Sequence, residues 1–173
     1  MELLRDLAVI SGRPLSVANG ESEKAPDRWR DMIEWMKATE KDGGTIRGQV
    51  AGRPVGLIVG LQGSLHPYVG RPTYEAIAGL PLPERVARMR DPSVRQAILT
   101  ERTTDKNMFF AAVAEGYDRM YALGVPPVYD PDVSTSIGAQ ARGRDLDPAE
   151  VIYDVLTEGS GENFLYLPLA FYV

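Results

Sequence analysis

The sequence predicts an α/β fold in which parallel strands are covered by helices. Residues 1–54 alternate helix, strand, helix and strand, and the connections between these elements are short. Residues 119–173 again combine helical periodicity with apolar, extended runs. Alternation of strands and helices with short connections favours parallel strands packed under helices. We therefore expect βα units at both ends of the chain, with residues 55–118 between them.

Residues 1–54 are predicted to form two strand–helix units. A helix over 2–10 carries its leucines on one stripe and ends at Gly12, which suits a C-cap. A short strand follows over 15–18. The next helix begins near Pro26, because proline suits the first turn of a helix, and a second strand covers 45–51.

Residues 55–118 are predicted to form a helical insertion. An apolar, glycine-rich stretch opens it, and a loop that holds His66 follows. Proline at a first-turn position marks the start of three short helices, near Pro72, Pro83 and Pro92. A fourth helix is predicted over 106–115.

Residues 119–173 are predicted to return to βα units. A strand is expected over 119–123, and a short helix over 134–142. Asp147, Pro148 and Glu150 stand at the spacing of a capping box, so a helix begins there. The last strand covers 163–167.

The chain stops within an apolar run, 164–173, with no turn after it. Such a strand would leave backbone groups and apolar side chains to find partners elsewhere. We therefore expect a piece of a larger fold. We also expect a homo-oligomer that forms through exposed strand edges.

Composition excludes several classes of function. The net charge of −5 disfavours a nucleic-acid partner, because phosphate binding requires a basic face. No apolar run approaches the roughly 20 residues that span a bilayer, so no membrane partner is expected. The chain has no cysteine, which excludes thiol chemistry and is compatible with the cytoplasmic location that we expect. A single histidine excludes a histidine-rich zinc site in this chain alone.

Four blocks of sequence resemble one subgroup of the amidohydrolase superfamily, the N-acyl-D-amino-acid deacylases or D-aminoacylases. The blocks are GRPLSVANGES (12–22), GLPLPERVARMRDPSVRQAILTE (79–101), DPAEVIYDVLTEG (147–159) and NFLYLPLAFYV (163–173). The resemblance covers nearly the whole chain, and none of the blocks is a catalytic motif. It implies a partial (β/α)8 barrel of three or four parallel strands with covering helices, plus the helical insertion.

The resemblance also implies an activity, which is the metal-dependent hydrolysis of the amide of an N-acyl amino acid. Zinc is the divalent metal implied for the full-length relative, and the chain alone would be inactive. The family's paired histidines at a strand end correspond here to Val17-Ala18-Asn19-Gly20, which has no histidine. The resemblance therefore assigns no metal ligand to this sequence. The alternative is a non-catalytic α/β module that acts through self-association or partner binding.

Three residues are predicted to contact substrate: Asn19, Arg53 and His66. Asn19 follows a strand, where a barrel gathers its active-site groups, although Asn-Gly is also typical of a plain turn. Arg53 follows the second strand near Gln49, and its planar guanidinium suits a carboxylate, although a structural salt bridge explains it equally well. Glu21 is either a ligand or a polar support of the site, or else a solvated acid.

His66 lies in a Ser-Leu-His-Pro-Tyr loop and is predicted to line a pocket as a neutral hydrogen-bonding group. A histidine without partners is more often structural. Tyr68 and Tyr74 follow it and could form an aromatic wall, although packing in the core explains them equally well. No residue of this sequence is assigned to catalysis itself.

Overall fold

The computed structural model describes residues 1–21, 25–53, 55–105, 113 and 116–170. This part of the chain is mixed α/β and contains seven α-helices, two short 3₁₀ helices and five strands. It divides into two compact units. The first unit is formed by the chain up to Gly56 and from Pro168 onward, and the second unit by Leu57–Leu167.

The first unit contains two helices and a parallel pair of strands. The elements are α1 (Glu2–Ser11), β1 (Leu15–Ala18), α2 (Arg28–Lys41) and β2 (Ile46–Gln49). The register of the parallel pair runs from Leu15 opposite Ile46 to Ala18 opposite Gln49. The predicted parallel arrangement of these two strands is confirmed, and α2 packs against β2.

Local signals in the sequence account for the ends of these elements. Gly12 ends α1 in the left-handed conformation, with φ of 62°, and donates its N–H to the carbonyl of Ala8 at 3.1 Å. Helix α2 begins at Arg28, two residues later than its proline suggested, and Asp27 stands at its N-cap position without a side-chain hydrogen bond to the helix. The end of α1 follows from the need to satisfy the last backbone groups of a helix.

A second sheet has three strands, in the order β3 (Val55–Val59), β5 (Phe164–Ala170) and β4 (Tyr121–Leu123). Strands β4 and β5 are antiparallel, so the expectation of parallel strands throughout is wrong for this pair. Residues 55–59 form a strand, which corrects their assignment to a helical insertion. Among the residues described, the strands lie in two separate sheets and form no barrel.

The expectation that the final apolar run is an unpaired edge is wrong for residues 164–170. Strand β5 lies in the middle of its sheet, with a neighbour on each side. Leu165 and Leu167 are fully buried. An apolar strand with few polar residues is typical of a central position, where both edges and both faces are covered.

Five helices complete the second unit: α3 (Pro72–Glu75), α4 (Leu82–Met89), α5 (Pro92–Thr100), α6 (Ile137–Arg144) and α7 (Pro148–Thr157). The starts that were predicted near Pro72, Pro83 and Pro92 lie within one residue of the observed ones. The predicted helix over 106–115 lies outside the described residues, apart from Val113. The predicted capping box is confirmed at the start of α7, where Asp147 accepts from Ala149 N–H at 2.8 Å and Glu150 accepts from Asp147 N–H at 3.3 Å.

Candidate functional site

The carboxyl ends of β1 and β2 bring two predicted polar residues together. Asn19 follows β1 directly, and its backbone N–H donates to the carbonyl of Gln49 at 2.9 Å. Gln49 is the last residue of β2. Because the strands are parallel, their carboxyl ends share one edge of the sheet, which is where α/β folds place their ligands.

The Asn19 side chain is buried, with 7% of its surface exposed. Its Nδ2 donates to the carbonyl of Trp29 in α2 at 3.5 Å, which is the long end of the hydrogen-bond range. Its Oδ1 is buried and has no hydrogen-bond partner among the described residues. A buried carbonyl oxygen without a donor costs about 1–3 kcal/mol, so this acceptor requires a physical explanation.

Arg53 and Glu21 lie in different surroundings from Asn19. Arg53 is exposed in a bend after β2 and forms no ion pair within the described part of the chain. Glu21 is half-buried. Nothing in the structure tests a contact with substrate, so the predicted substrate contact of Arg53 stays a prediction.

A cleft of about 240 Å³ lies between α2 and β2. Its apolar floor includes Ile33, Met36 and Ile46, and its charged rim includes Lys37, Glu40 and Arg47. Gly48 also lines it, and a Cβ added there would lie 3.1 Å from Met36 Cε and 3.2 Å from Asn19 Cβ. The absence of a side chain at Gly48 allows Met36 and Asn19 their positions, and Asn19 itself does not line the cleft.

The second unit contains an aromatic cluster that we define as His66, Tyr68, Tyr74 and Tyr153. Ring centroids lie 4.5 Å apart for His66 and Tyr74, 5.9 Å for Tyr68 and Tyr74, and 5.3 Å for Tyr68 and Tyr153. All four residues are buried. Tyr68 and Tyr74 thus pack in the core, which is one of the two alternatives that the sequence left open.

His66 is held as a neutral imidazole. Its Nδ1 accepts the backbone N–H of Tyr68 at 3.3 Å. Burial, and secondly the positive charge of Arg85, lower the pKa of His66 from 6.5 to about 4. At pH 7 the ring therefore carries no charge, which agrees with the predicted neutral hydrogen-bonding group. Its placement among tyrosines makes it a core residue.

Three arginines surround the aromatic cluster, each with its guanidinium over a tyrosine ring. Arg71 lies 5.6 Å from the centroid of Tyr68, Arg85 lies 5.9 Å from that of Tyr74, and Arg95 lies 5.4 Å from that of Tyr153. Such stacking stabilises a cation on an aromatic face. Sequence reasoning missed these arginines, since nothing in their spacing distinguishes them from surface arginines.

Hydrogen bonds fix part of this arrangement. Arg85 donates to the Tyr74 hydroxyl at 2.7 Å, and Tyr153 donates its hydroxyl to the carbonyl of Met89 at 2.8 Å. The Tyr68 hydroxyl and the Nε atoms of Arg71 and Arg85 are buried without a partner in the described structure. Burial raises the pKa of the Tyr68 hydroxyl well above its usual range, so this group stays protonated.

Two kinds of feature are not found in the described residues. No group of three or more His, Cys, Asp and Glu side chains that could hold a metal ion occurs there. None of the helices within residues 1–21, 25–53, 55–105 and 116–170 combines the length and the apolar character that crossing a membrane requires.

Comparisons with known proteins returned no relative. No family model, no curated protein and no solved structure matches the chain. The functional argument therefore depends on the residues and the geometry described above.

Proposed function

We propose that the chain is part of an amidohydrolase-like enzyme that hydrolyses the amide of N-acyl amino acids, and that Asn19 binds this amide. The reaction adds water to the amide and releases a carboxylic acid and an amino acid. In this proposal, the β1–α2–β2 unit is one section of a (β/α)8 barrel, whose active-site groups gather at the carboxyl ends of its strands. The four blocks of sequence that resemble the D-aminoacylases support the lineage.

The observation that carries the proposal is the unpartnered Oδ1 of Asn19. This oxygen is a buried acceptor at the carboxyl end of a parallel strand, and no described group donates to it. The N–H of a secondary amide is a donor that would satisfy it. A site built to bond a substrate N–H discriminates strongly against analogues that lack this group, because the buried acceptor is then left unpaired.

The cleft beside Gly48 supplies the other contacts that such a substrate needs. Its floor of Ile33, Met36 and Ile46 suits an apolar acyl group or side chain, and Arg47 on its rim suits a carboxylate. Lys37 on the same rim is paired with Glu34 at 2.8 Å. Arg47 is therefore the rim cation that we assign to the substrate carboxylate.

Among the described residues, no group of three or more His, Cys, Asp and Glu side chains could hold the metal that the resemblance implies. Asn19 and Gln49 at the strand ends offer neutral amide oxygens, and Glu21, which follows β1, offers a carboxylate. The proposal therefore routes no step through a metal. It assigns this chain the task of binding and orienting the substrate amide.

Side-chain amide NMR of the chain tests the proposal directly. We expect N-acetyl-D-leucine to shift the Asn19 side-chain resonances with saturable dependence on its concentration. Asn19→Ala should weaken binding by about tenfold, which corresponds to the loss of one buried hydrogen bond. Gln62→Ala removes an exposed carboxamide of the second unit and should leave affinity unchanged.

Two ligand controls separate an amide site from a site for charge alone. 4-Methylpentanoate carries the same carboxylate and branched side chain without the amide, and it should not shift Asn19. N-acetyl-L-leucine tests whether the site prefers the D configuration that the resemblance implies. Binding of N-acetyl-D-leucine that is unaffected by Asn19→Ala, or no binding at all, would contradict the proposal.

A second candidate function, self-association, is favoured by the apolar surface of α1. Leu3 is 70% exposed, Leu7 48% and Ile10 86%, and these residues recur at helical spacing. A second copy could cover this stripe. Light scattering should then show a dimer that Ile10→Glu converts to a monomer. Val133→Glu, at a comparably exposed valine of the second unit, should have no effect. A monomer at every concentration would exclude this function.

A further inference from the structure

The feature that the proposed function leaves unexplained is a pair of unsatisfied donors in the second unit. The Tyr68 hydroxyl is buried without a hydrogen-bond partner, and the residue as a whole is 1% exposed. The Nε of Arg71 is likewise buried and unpartnered within the described part of the chain. The Arg71 Cζ lies 5.6 Å from the centroid of the Tyr68 ring, so the two unsatisfied groups belong to neighbouring side chains.

The remaining donors of Arg71 contact only neutral groups. Its Nη1 donates to the carbonyl of Ile98, and its Nη2 reaches the hydroxyl of Tyr117 at 3.4 Å. No carboxylate of the described residues lies within ion-pair distance of Arg71. A partly buried guanidinium without a counter-charge is unfavourable, because its desolvation is not offset.

The acidic residues near Arg71 are committed to other donors. Glu75 accepts from the backbone N–H of Gly70 at 2.8 Å, and Glu101 accepts from the N–H of Thr73 at 2.9 Å. Asp154 pairs with Arg95 at 3.1 Å, and its charge acts on Tyr68, as does that of Arg71. None of these three carboxylates forms an ion pair with Arg71 within the described part of the chain.

We propose that Arg71 and Tyr68 form a binding site for a small oxyanion, a carboxylate or a phosphate, with the Tyr117 hydroxyl as a third donor. The Arg71 Nε–H and the Tyr68 O–H are both donors, and an oxyanion accepts from several donors at once. Burial raises the pKa of Tyr117 as well as that of Tyr68, so both hydroxyls keep the protons that they donate. This site belongs to the second unit and does not depend on the proposed role of Asn19.

Titration with sodium phosphate and with sodium acetate, each against sodium chloride at equal ionic strength, tests the site. The readout is the Nε–Hε NMR resonance of Arg71 together with the melting temperature. We expect one anion or both to shift this resonance with a saturable dependence and to raise the melting temperature, since a ligand that binds only the folded state stabilises it. A preference for phosphate or for acetate identifies which of the two classes of anion the site binds.

Two substitutions test whether the anion binds at Arg71 and Tyr68. Arg71→Gln should weaken anion binding by at least about tenfold, and Tyr68→Phe, which keeps the ring in place, by about threefold to tenfold. Arg88→Gln removes the same charge from an exposed position of α4 and should leave binding unchanged. If Arg71→Gln does not fold, Tyr68→Phe still tests the proposal.

Three results would overturn the site. The Arg71 resonance could stay unchanged in both titrations. The thermal shift could be the same in Arg88→Gln as in Arg71→Gln, which would indicate general screening of surface charge. Tyr68→Phe could bind both anions as tightly as the unchanged protein, which would leave the buried hydroxyl without a role in binding.

Discussion

Helix α1 of the first unit and helix α7 of the second unit have the same length and different surroundings. Each has ten residues and an apolar stripe. In α7 the stripe is fully covered, with Val151, Ile152 and Leu156 at 0% exposure, whereas in α1 Ala8 is buried and Ile10 stays 86% exposed. An apolar stripe therefore predicts the helix, and contacts made far along the chain decide whether the stripe is covered.

The sharpest test of this contrast is the same substitution in both helices. Ile152→Ala should lower the free energy of unfolding by about 2–5 kcal/mol, because it removes buried methyl groups and leaves a cavity. Ile10→Ala should cost less than about 0.5 kcal/mol, since its side chain is already in water. Urea denaturation measures both. An equal cost at the two positions would mean that a partner covers α1 in solution.

The second test uses the only histidine of the chain, which lies in the well-covered region. The pKa of His66 falls from 6.5 to about 4 in the folded protein, chiefly through burial. The unfolded chain therefore binds more protons below pH 6.5, and stability is lost as the pH falls from 6.5 towards 4. The full difference corresponds to about 3 kcal/mol.

Unfolding measured from pH 7 to pH 4 for the unchanged protein and for His66→Phe isolates this contribution. Carboxylates titrate in both proteins, so the difference between the two curves reports His66 alone. We expect the difference to change most steeply between pH 6.5 and 4, where the unchanged protein loses stability that His66→Phe keeps, and to level off towards pH 7. Parallel curves over this range would show that His66 is not buried in solution.

The third test compares two glycines at the end of α7. Gly161 has φ of 83°, and a Cβ added there would lie 2.3 Å from Val86 Cγ2, whereas Gly159 has φ of 57° and open space around it. Gly161→Ala should destabilise the fold by about 2–3 kcal/mol, through backbone strain and overpacking together. Gly159→Ala should cost about 1 kcal/mol, from backbone strain alone. Thermal melts would distinguish them, and equal costs would argue against close packing at Gly161.

Much of the local structure follows from the sequence. Strand β1 covers the predicted residues 15–18, and the capping box at Asp147 is formed as expected. These features depend on groups within a few residues of one another, so their patterns are visible in the sequence. Residues 55–59 and the place of β5 were wrongly predicted, because an apolar run does not specify which strands will pair with it.

The candidate sites also combine features that the sequence predicts with features that only the structure shows. Asn19 was chosen because it follows a strand, and the structure adds that its side chain is buried with an unpartnered Oδ1 among the described residues. His66 was predicted to be neutral, and its pKa is lowered as that prediction requires. The stacking of Arg71 on Tyr68 had no sequence signal, since it depends on where two side chains converge in the core.

The sequence by itself determined most of the helix starts, the capping box at Asp147, the parallel β1–α2–β2 unit and the net charge of −5. Backbone hydrogen bonds, proline geometry and net charge are properties of neighbouring residues or of simple sums, and these are readable without coordinates. Only the tertiary structure decided which apolar stripes are covered, which strand lies at the centre of its sheet and which buried donors and acceptors lack partners. Those outcomes depend on burial and on contacts between distant segments, where each group's free energy is set by what surrounds it.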